Sequence, residues 1–539
     1  MQDNLTNNKR PWLNPVIYSI LLIIGICIGS AIFRERKLEK FTANPHASAG
    51  KIDNILDFIE QNYVDTINRD KLEEKTLIAM LNQLDPHSEY IPAADLQHVN
   101  EPLQGNFDGI GVDYNIVNDT ICVVHPIPGG PSEKVGIQPG DRIIKVDGKS
   151  ISGVKITNKK IYEALRGKKG TKVIVGIKRA GTKGLIDFTI TRGEIPIYSV
   201  EVAFMATPDI GYIKISRFAS ATYEEFRKAF NSLTKSGMKK LVIDLRNNGG
   251  GYLNAAVDIC DEFLSKGMKI VYTKGKASAQ KTYFATEKGS FENSPLAILI
   301  DEGSASASEI VSGALQDNDR AVIIGRRSFG KGLVQEQIEI PDGSAIRLTV
   351  ARYYTPSGRC IQKPYTKGLE AYYEEEFDRY DNGEMLSADS IHFADSLKFK
   401  TASGKTVYGG GGIMPDIFVP IDTSYRTSYL NKISFKGILS DFAFNYTDKH
   451  RAELKAYKTA ENYNKNFNAT PAMLNELVAY AQKQGVEKNE EQLKRSTNYL
   501  MNQLKALVGR NMFDNESYFP ILMSNDKAFG AALKELGKK

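Results

Sequence analysis

A serine-rich turn, a glycine-rich turn and a lysine set between glycines are where this sequence could do chemistry. The run Gly303-Ser304-Ala305-Ser306-Ala307-Ser308-Glu309 follows a buried-strand pattern and opens a helical one. A serine there has backbone donors nearby and the positive end of a helix dipole, which stabilise an alkoxide or an oxyanion. The residue types do not choose among the three serines, and helix capping is the plain alternative role. Arg246-Asn247-Asn248-Gly249-Gly250-Gly251 sits between an apolar strand, 241–245, and a helix from Leu253. Its glycines let the backbone approach a ligand, and N–H groups at a helix start favour a phosphate or a tetrahedral oxyanion. The third piece is Phe329-Gly330-Lys331-Gly332-Leu333-Val334-Gln335. A neutral lysine can serve as general base for a serine; lowering its pKa from about 10.4 to near 7 costs about 4 kcal/mol of desolvation. In an extended strand Lys331 and Gln335 fall on one face, where the amide could orient the amine without adding charge. Serine–lysine pairs are an established variant of triad logic. No HExxH, GxxxxGK(S/T), EF-hand or GxSxG pattern is present, and no histidine lies in a nucleophile motif.

These residues need strands and helices to hold them, and 211–420 supplies both in alternation. Residues 212–216, 241–245, 296–300 and 321–324 read as strands, and 253–264 and 305–316 as helices. Thr222 and Glu225 cap a further helix with Tyr223, Phe226, Phe230 and Leu233 on one face. That order predicts a largely parallel sheet buried on both sides. Residues 365–400 interrupt it with an acidic, tyrosine-rich stretch, EAYYEEEFDRYDNGE, read as an insertion. Residues 105–195 turn to short apolar alternations between Gly, Pro and Asp, a small and mostly β module. Upstream, Ile52, Ile55, Leu56 and Ile59 share a helix face, and Asp70 with Glu73 reads as a capping box. Residues 421–539 are helical and lysine-rich, without evident chemistry.

The 539 residues, 42% of them hydrophobic, suffice for several packed cores and exclude a disordered or fibrous chain. A net charge of +6 with no basic block gives no nucleic-acid footprint. Cys27, Cys122, Cys260 and Cys360 form no CxxC pair, which excludes a zinc ribbon or redox motif. Residues 15–33 carry no charge and would make roughly 28 Å of helix, enough to cross a bilayer core. Lys9 and Arg10 precede them, and Trp12 and Tyr18 occupy interfacial positions. The run is long for a signal peptide and no small-x-small site follows, so an uncleaved anchor is expected, with 34–48 as tether. Arg34, Arg36, Lys37 and Lys40 on its far side oppose an N-inside insertion.

Several motifs together resemble the carboxy-terminal processing, or tail-specific, proteases. They are LDPHSEY (84–90), FDGIGVDY (107–114), PSEKVGIQPGDRIIKVDG (131–148), GYIKISRF (211–218), LVIDLRNNGGG (241–251), DEGSASASEI (301–310), GRRSFGKGLVQ (325–335) and GGIMPDI (411–417). The resemblance implies a multidomain α+β and α/β protein. Its parts are an anchor and tether (1–40), a helical segment (45–104), a PDZ-like module (105–195), a crotonase/Clp-like serine-protease core (196–420) and a helical extension (421–539). It implies Ser306 as nucleophile, Lys331 as base and Gln335 as its positioner. It further implies oxyanion donors from Gly250 or Gly251 and from Ala307, and a tail-binding loop at Gly109, Ile110, Gly111 and Val112. Gly249 departs from the family, where many relatives carry proline. The expected activity is a membrane-anchored serine endopeptidase that captures protein C-termini and cleaves nearby. It needs no metal or organic cofactor and sits in the inner membrane, single-pass, with its catalytic part periplasmic. An adaptor protein is a candidate partner, and nucleic acid is not. The alternative is a catalytically inactive PDZ-bearing membrane scaffold, against which intact Ser306, Lys331 and Gln335 count.

Overall fold

The computed structural model describes Ser19, residues 22–24 and residues 50–538. The expected anchor at 15–33 and its tether therefore lie, but for those four residues, outside the described residues. Among the described residues no helix is long and apolar enough to cross a membrane. The chain forms two compact units, divided after Met80. Helices Lys51–Asn62 and Arg69–Leu81 make up the described part of the first, the second helix ending one residue past the division. Arg69 joins them, reaching Asp57 at 2.5 Å and Glu60 at 3.2 Å across the turn and Glu73 at 2.8 Å in its own helix. The expected capping box at Asp70 and Glu73 is displaced. Asn68 caps instead, its Oδ1 accepting the Lys71 N–H at 2.9 Å, because Asn caps as well as Asp and Arg69 engages Glu73.

In the second unit, a six-stranded sheet runs in the order Val200–Met205, Ile210–Ile215, Lys240–Asp244, Leu296–Ile300, Val322–Gly325, Ile417–Phe418. All neighbours are parallel except the first pair. The strands are nearly continuous apolar runs because both faces are covered. On one face Ile213, Ile243 and Ile298 pack with Phe226, Ile259 and Val311 from helices Thr222–Lys235, Leu253–Asp261 and Ala307–Asp317. On the other, Tyr212, Val242 and Leu299 pack with Met523, Phe529 and Leu536 from the last two helices, Asn515–Met523 and Lys527–Leu536. The end of the lysine-rich region thus completes the sheet's second face.

A second, antiparallel sheet centres on Ala345–Tyr354. This strand pairs with Leu333–Glu339, Glu89–Ile91 and Lys269–Gly275, the last pairing with Lys281–Phe284. The alternation between 211 and 420 therefore covers two large sheets rather than one, with a small pair, Lys398–Lys400 and Thr406–Tyr408, besides. The serine turn leaves the parallel sheet, and the lysine loop enters the antiparallel one.

The small module is an antiparallel sheet in the order Val112–Val117, Thr120–Pro126, Arg142–Val146, Lys172–Lys178, Ile186–Thr191. Its alternating residues Ile121, Val123, Ile143, Val173, Val175 and Ile177 are fully buried with Ile161 and Leu165 of helix Asn158–Leu165. Val112–Val117 is an edge strand. The C-terminal helices seal its back, where Phe444 packs on Val117, Cys122 and Val124 and Asp448 pairs with Arg142 at 2.8 Å.

Candidate active site

The serine turn is built on a strand–turn–helix. Leu296–Ile300 ends at Asp301, and Ser306 caps helix Ala307–Asp317 with φ 54°, a conformation few non-glycine residues hold. The three serines divide by environment. Ser304 is fully buried and donates to Leu245 O at 2.8 Å. Ser308, equally buried, donates to Asn248 O at 2.8 Å. Both hydroxyls fasten the serine turn to the glycine turn, and only Ser306 of the three is half-exposed.

The glycine turn lies against Ser306. A Cβ on Gly250 (φ 98°) would stand 2.7 Å from Ser306 Cβ and 2.9 Å from Ala307 N. A Cβ on Gly251 (φ 144°) would overlap Phe218 O at 2.1 Å. Both positions therefore exclude a side chain. Gly249 has no positive φ and nothing within 4 Å of a Cβ, so the departure from proline leaves the turn intact. The expected donors separate here. The Gly250 N–H is engaged by Asn248 Oδ1 at 2.9 Å, because the Asn248 side chain folds back to brace the turn and its Nδ2 holds Ile215 O. Gly250 thus offers no N–H to a ligand in this arrangement. The N–H groups of Gly251 and Ala307 have no acceptor among the described residues. Asp244, at the foot of the turn, is buried. Burial raises its pKa, but Arg246 and Lys214 hold it well below the usual carboxylate range. Arg246 also reaches Asp526 of the last helix at 2.8 Å.

Glu309, which the sequence reading left without a role, joins the serine and lysine segments. Its Oε2 accepts the N–H of Ser306 at 2.8 Å and of Lys331 at 2.9 Å. Its Oε1 accepts the Gly330 N–H at 2.7 Å and the Ser328 hydroxyl at 2.5 Å. Burial pushes its carboxyl up to about 7, against these donors. Three of the four partners can only donate, so the geometry accommodates the ionised form. Tyr353 makes a second bridge, its hydroxyl lying 2.6 Å from Lys331 O and 3.1 Å from Ser306 O.

The backbones of Ser306 and Lys331 are thus held together, but no hydrogen bond joins Ser306 Oγ to Lys331 Nζ. Burial and the charge of Arg347 pull the lysine's pKa down, opposed by Glu89, Glu309 and Asp85. Asp85 and Glu89 belong to the LDPHSEY segment, docked at the lysine by Thr349 N–H to Ser88 Oγ (3.1 Å) and Thr349 Oγ1 to Asp85 (3.1 Å). His87, half-buried and facing the lysine's charge, is lowered to about 4 and stays neutral. Gln335 is not brought to the amine; its amide donates to Thr349 Oγ1 at 3.3 Å. The alternation argument fails because Lys331 precedes the strand and a bulge falls between Val334 and Gln335.

The expected tail loop lies at the start of the edge strand. Gly111 has φ 72°, and Ile110 O is fixed by the Ser132 hydroxyl at 2.7 Å. A groove of about 1070 Å³ runs between strand Val112–Val117 and helix Asn158–Leu165. It has two features with no sequence signal. Helix Ala93–Gln104 lines its far wall, and its Glu101 pairs with Arg166. The Arg166 guanidinium also lies 3.8 Å over the Phe107 ring and 4.0 Å over that of Tyr162.

Comparison with known proteins places the chain in a family. Residues 209–371 match the model of Peptidase family S41, 123–179 that of the PDZ domain, and 429–514 that of a family of unknown function. The chain is 38% identical over 324 residues to the carboxy-terminal-processing protease of Bartonella bacilliformis, covering 59% of this chain and 74% of that one. It is 34% identical over 380 residues to a probable CtpA-like serine protease of Staphylococcus aureus, covering 68% and 74%. Among solved structures, the photosystem II D1 C-terminal processing protease is 25% identical with a TM-score of 0.34, covering 68% of this chain and 91% of that one. The sequence relatives carry the assignment. The chain belongs to the carboxy-terminal processing proteases of Peptidase family S41, serine proteases with a PDZ domain.

Proposed function

We propose that Ser306 is the nucleophile and Lys331 its general base, with the N–H groups of Gly251 and Ala307 as oxyanion donors. The observation that carries this reading is the Glu309 carboxylate, which holds the N–H of both residues while Ser304 and Ser308 are sealed. Ser306 Oγ attacks the scissile carbonyl carbon as its proton passes to Lys331 Nζ, and the carbonyl oxygen takes up the negative charge. Collapse expels the amine, which recovers the proton from lysine. Water then attacks the acyl ester, with lysine again as base. Gln335 joins the site once its amide leaves Thr349, and the same adjustment brings Ser306 Oγ within reach of Lys331 Nζ. The PDZ groove takes a substrate's C-terminus as an added strand along Val112–Val117, its carboxylate held by backbone N–H groups of Gly109, Ile110, Gly111 and Val112. The run 15–33 anchors the chain in the inner membrane, with the catalytic part periplasmic.

The test is to incubate the full chain with an unstructured peptide bearing an apolar C-terminus and to map products by mass spectrometry. Cleavage by the native chain, lost in Ser306→Ala while tail binding persists, is expected. Near-normal turnover by Ser306→Ala would overturn the assignment. Binding without cleavage by the native chain would favour the inactive scaffold.

A further inference from the structure

The acidic segment 365–400 interrupts the catalytic core, and its buried polar side chains, Tyr372, Arg379 and Glu384, converge on the loop that carries Lys331. Helix Leu369–Asp381 turns Tyr372 and Arg379 inward, each 2% exposed. Arg379 donates to Arg327 O at 2.7 Å and Ser328 O at 3.1 Å, two consecutive carbonyls of the lysine loop. Its Nε is held by Glu384 at 2.8 Å, and the same carboxylate takes both Nε (2.6 Å) and Nη2 (2.8 Å) of Arg327. Tyr372 works on the loop's other end. Its hydroxyl lies 3.4 Å from Gln362 Nε2, and Gln362 Oε1 accepts the Gly332 N–H at 2.8 Å. The same hydroxyl lies 3.0 Å from His87 Nε2, and the Tyr372 ring meets that of Phe329 edge-on at 5.9 Å. The loop is therefore gripped on both sides of the lysine by one inserted helix.

This grip exceeds what stability requires. A buried arginine–glutamate set is weak evidence for stability, since apolar residues of like volume serve as well. What a guanidinium adds is direction, because its planar fork fixes two carbonyls at once. We propose that Arg379 and Tyr372 are positioning residues for Lys331: the insertion fixes the lysine loop where Glu309 and Tyr353 tie its backbone to that of Ser306. The proposal rests on Lys331 being the base. Loss of alignment lowers turnover without weakening tail capture, since the PDZ groove has its own residues. A displaced loop also admits water to the amine, which raises the lysine's pKa toward its ordinary value and moves the rising limb of the pH profile to higher pH.

The experiment compares the full chain with Tyr372→Phe, which removes one hydroxyl and preserves the core, and with Arg379→Lys, which keeps the charge and loses the fork. The expected result is a fall in kcat of about tenfold or more for Arg379→Lys and about threefold for Tyr372→Phe. KM stays within about twofold, and the rising limb moves up by about half a pH unit or more in Arg379→Lys. Lys331→Ala is run alongside. If it retains turnover, the assignment of the base fails and takes this proposal with it. If it is inactive while Tyr372→Phe, folded by circular dichroism, keeps both native kcat and native pH profile, the positioning role is overturned and the base assignment stands. A fall in kcat with an unmoved pH profile in both variants would likewise overturn it, since a merely structural loss lowers the active fraction alone.

Discussion

The serine turn and the lysine loop are fixed by different physics. The serine turn is held by mostly neutral bonds to the single turn beside it: Ser304 to Leu245 O, Ser308 to Asn248 O, Ala305 N–H to Asn248 O. All of these follow from two adjacent parallel strands ending together, as Leu241–Asp244 register against Leu296–Leu299. The lysine loop has no such frame. It is held by groups from four separate segments: Glu309, Tyr353, Gln362 and Arg379. One half of the site is set by the register of two neighbouring strands, and the other by partly ionic struts from several elements that meet only in the finished fold.

The largest expected effect removes the chemistry itself. Ser306→Ala should lower turnover by about three orders of magnitude or more while tail affinity is unchanged. Ser308→Ala should cost about 1 kcal/mol of stability through the lost bond to Asn248 O, and leave most turnover intact. A peptide assay with thermal unfolding separates the two; equal loss of turnover would mean that the hydroxyls are not distinguished by exposure. On the lysine side, Lys331→Ala should be about as damaging as Ser306→Ala with the fold preserved. Lys331→Arg should stay inactive, because arginine remains protonated. The sign of the pH dependence follows from the depressed pKa. Below it the ammonium cannot accept the serine's proton, so turnover should rise as pH climbs through a value lower than that of free lysine. A profile flat from pH 6 to 10 would remove lysine as the base.

Glu309, like Tyr353, touches both halves, and it alone of the two brings a carboxylate. Glu309→Gln keeps its shape but places an NH₂ against groups that can only donate. Leaving buried donors unpaired costs about 1–3 kcal/mol each. The expected outcome is a fall in melting temperature together with at least about tenfold lower kcat. An effect on only one of the two would show that the bridge stabilises without aligning, or aligns without stabilising.

Legibility followed the same division. The serine turn and glycine turn could be read because each is a contiguous strand–turn–helix. The lysine was found through its flanking glycines, but the alternation used to place Gln335 beside it does not apply, since Lys331 precedes the strand and the bulge after Val334 leaves no trace in residue types. Glu309 stands inside a quoted motif, yet its role depends on contacts 21 and 22 residues away. Arg379 was hidden among acidic residues whose composition reads as a solvated surface, and nothing in its own helix points to the loop it holds. Arg166 in the PDZ groove was similarly silent, because its partner Glu101 comes from a helix outside that module. The expected largely parallel sheet holds for one of the two large sheets of the core, and the antiparallel one was absorbed into the same alternation. The last two helices read as a lysine-rich appendage, since their apolar stripe gains meaning only against Tyr212 and Val242.

The smallest expected effect sharpens the comparison most, because it asks whether the serine side is already fully set. Gly249 has neither a positive φ nor a neighbour that a side chain would strike, and its N–H makes no hydrogen bond among the described residues. Proline lacks that N–H and fixes φ near −65°, so Gly249→Pro removes freedom mainly from the unfolded chain. Stability should rise by about 0.4–1 kcal/mol, seen as a small increase in melting temperature, with kcat within about twofold of native. The residue before proline is pushed toward extended backbone, so the test bears directly on Asn248, whose side chain braces Ile215 O and the Gly250 N–H. If the turn must flex to let Gly250 turn its N–H toward substrate, the proline variant will be more stable yet slower by tenfold or more. That outcome would show that the serine side, like the lysine loop, is completed only when substrate arrives.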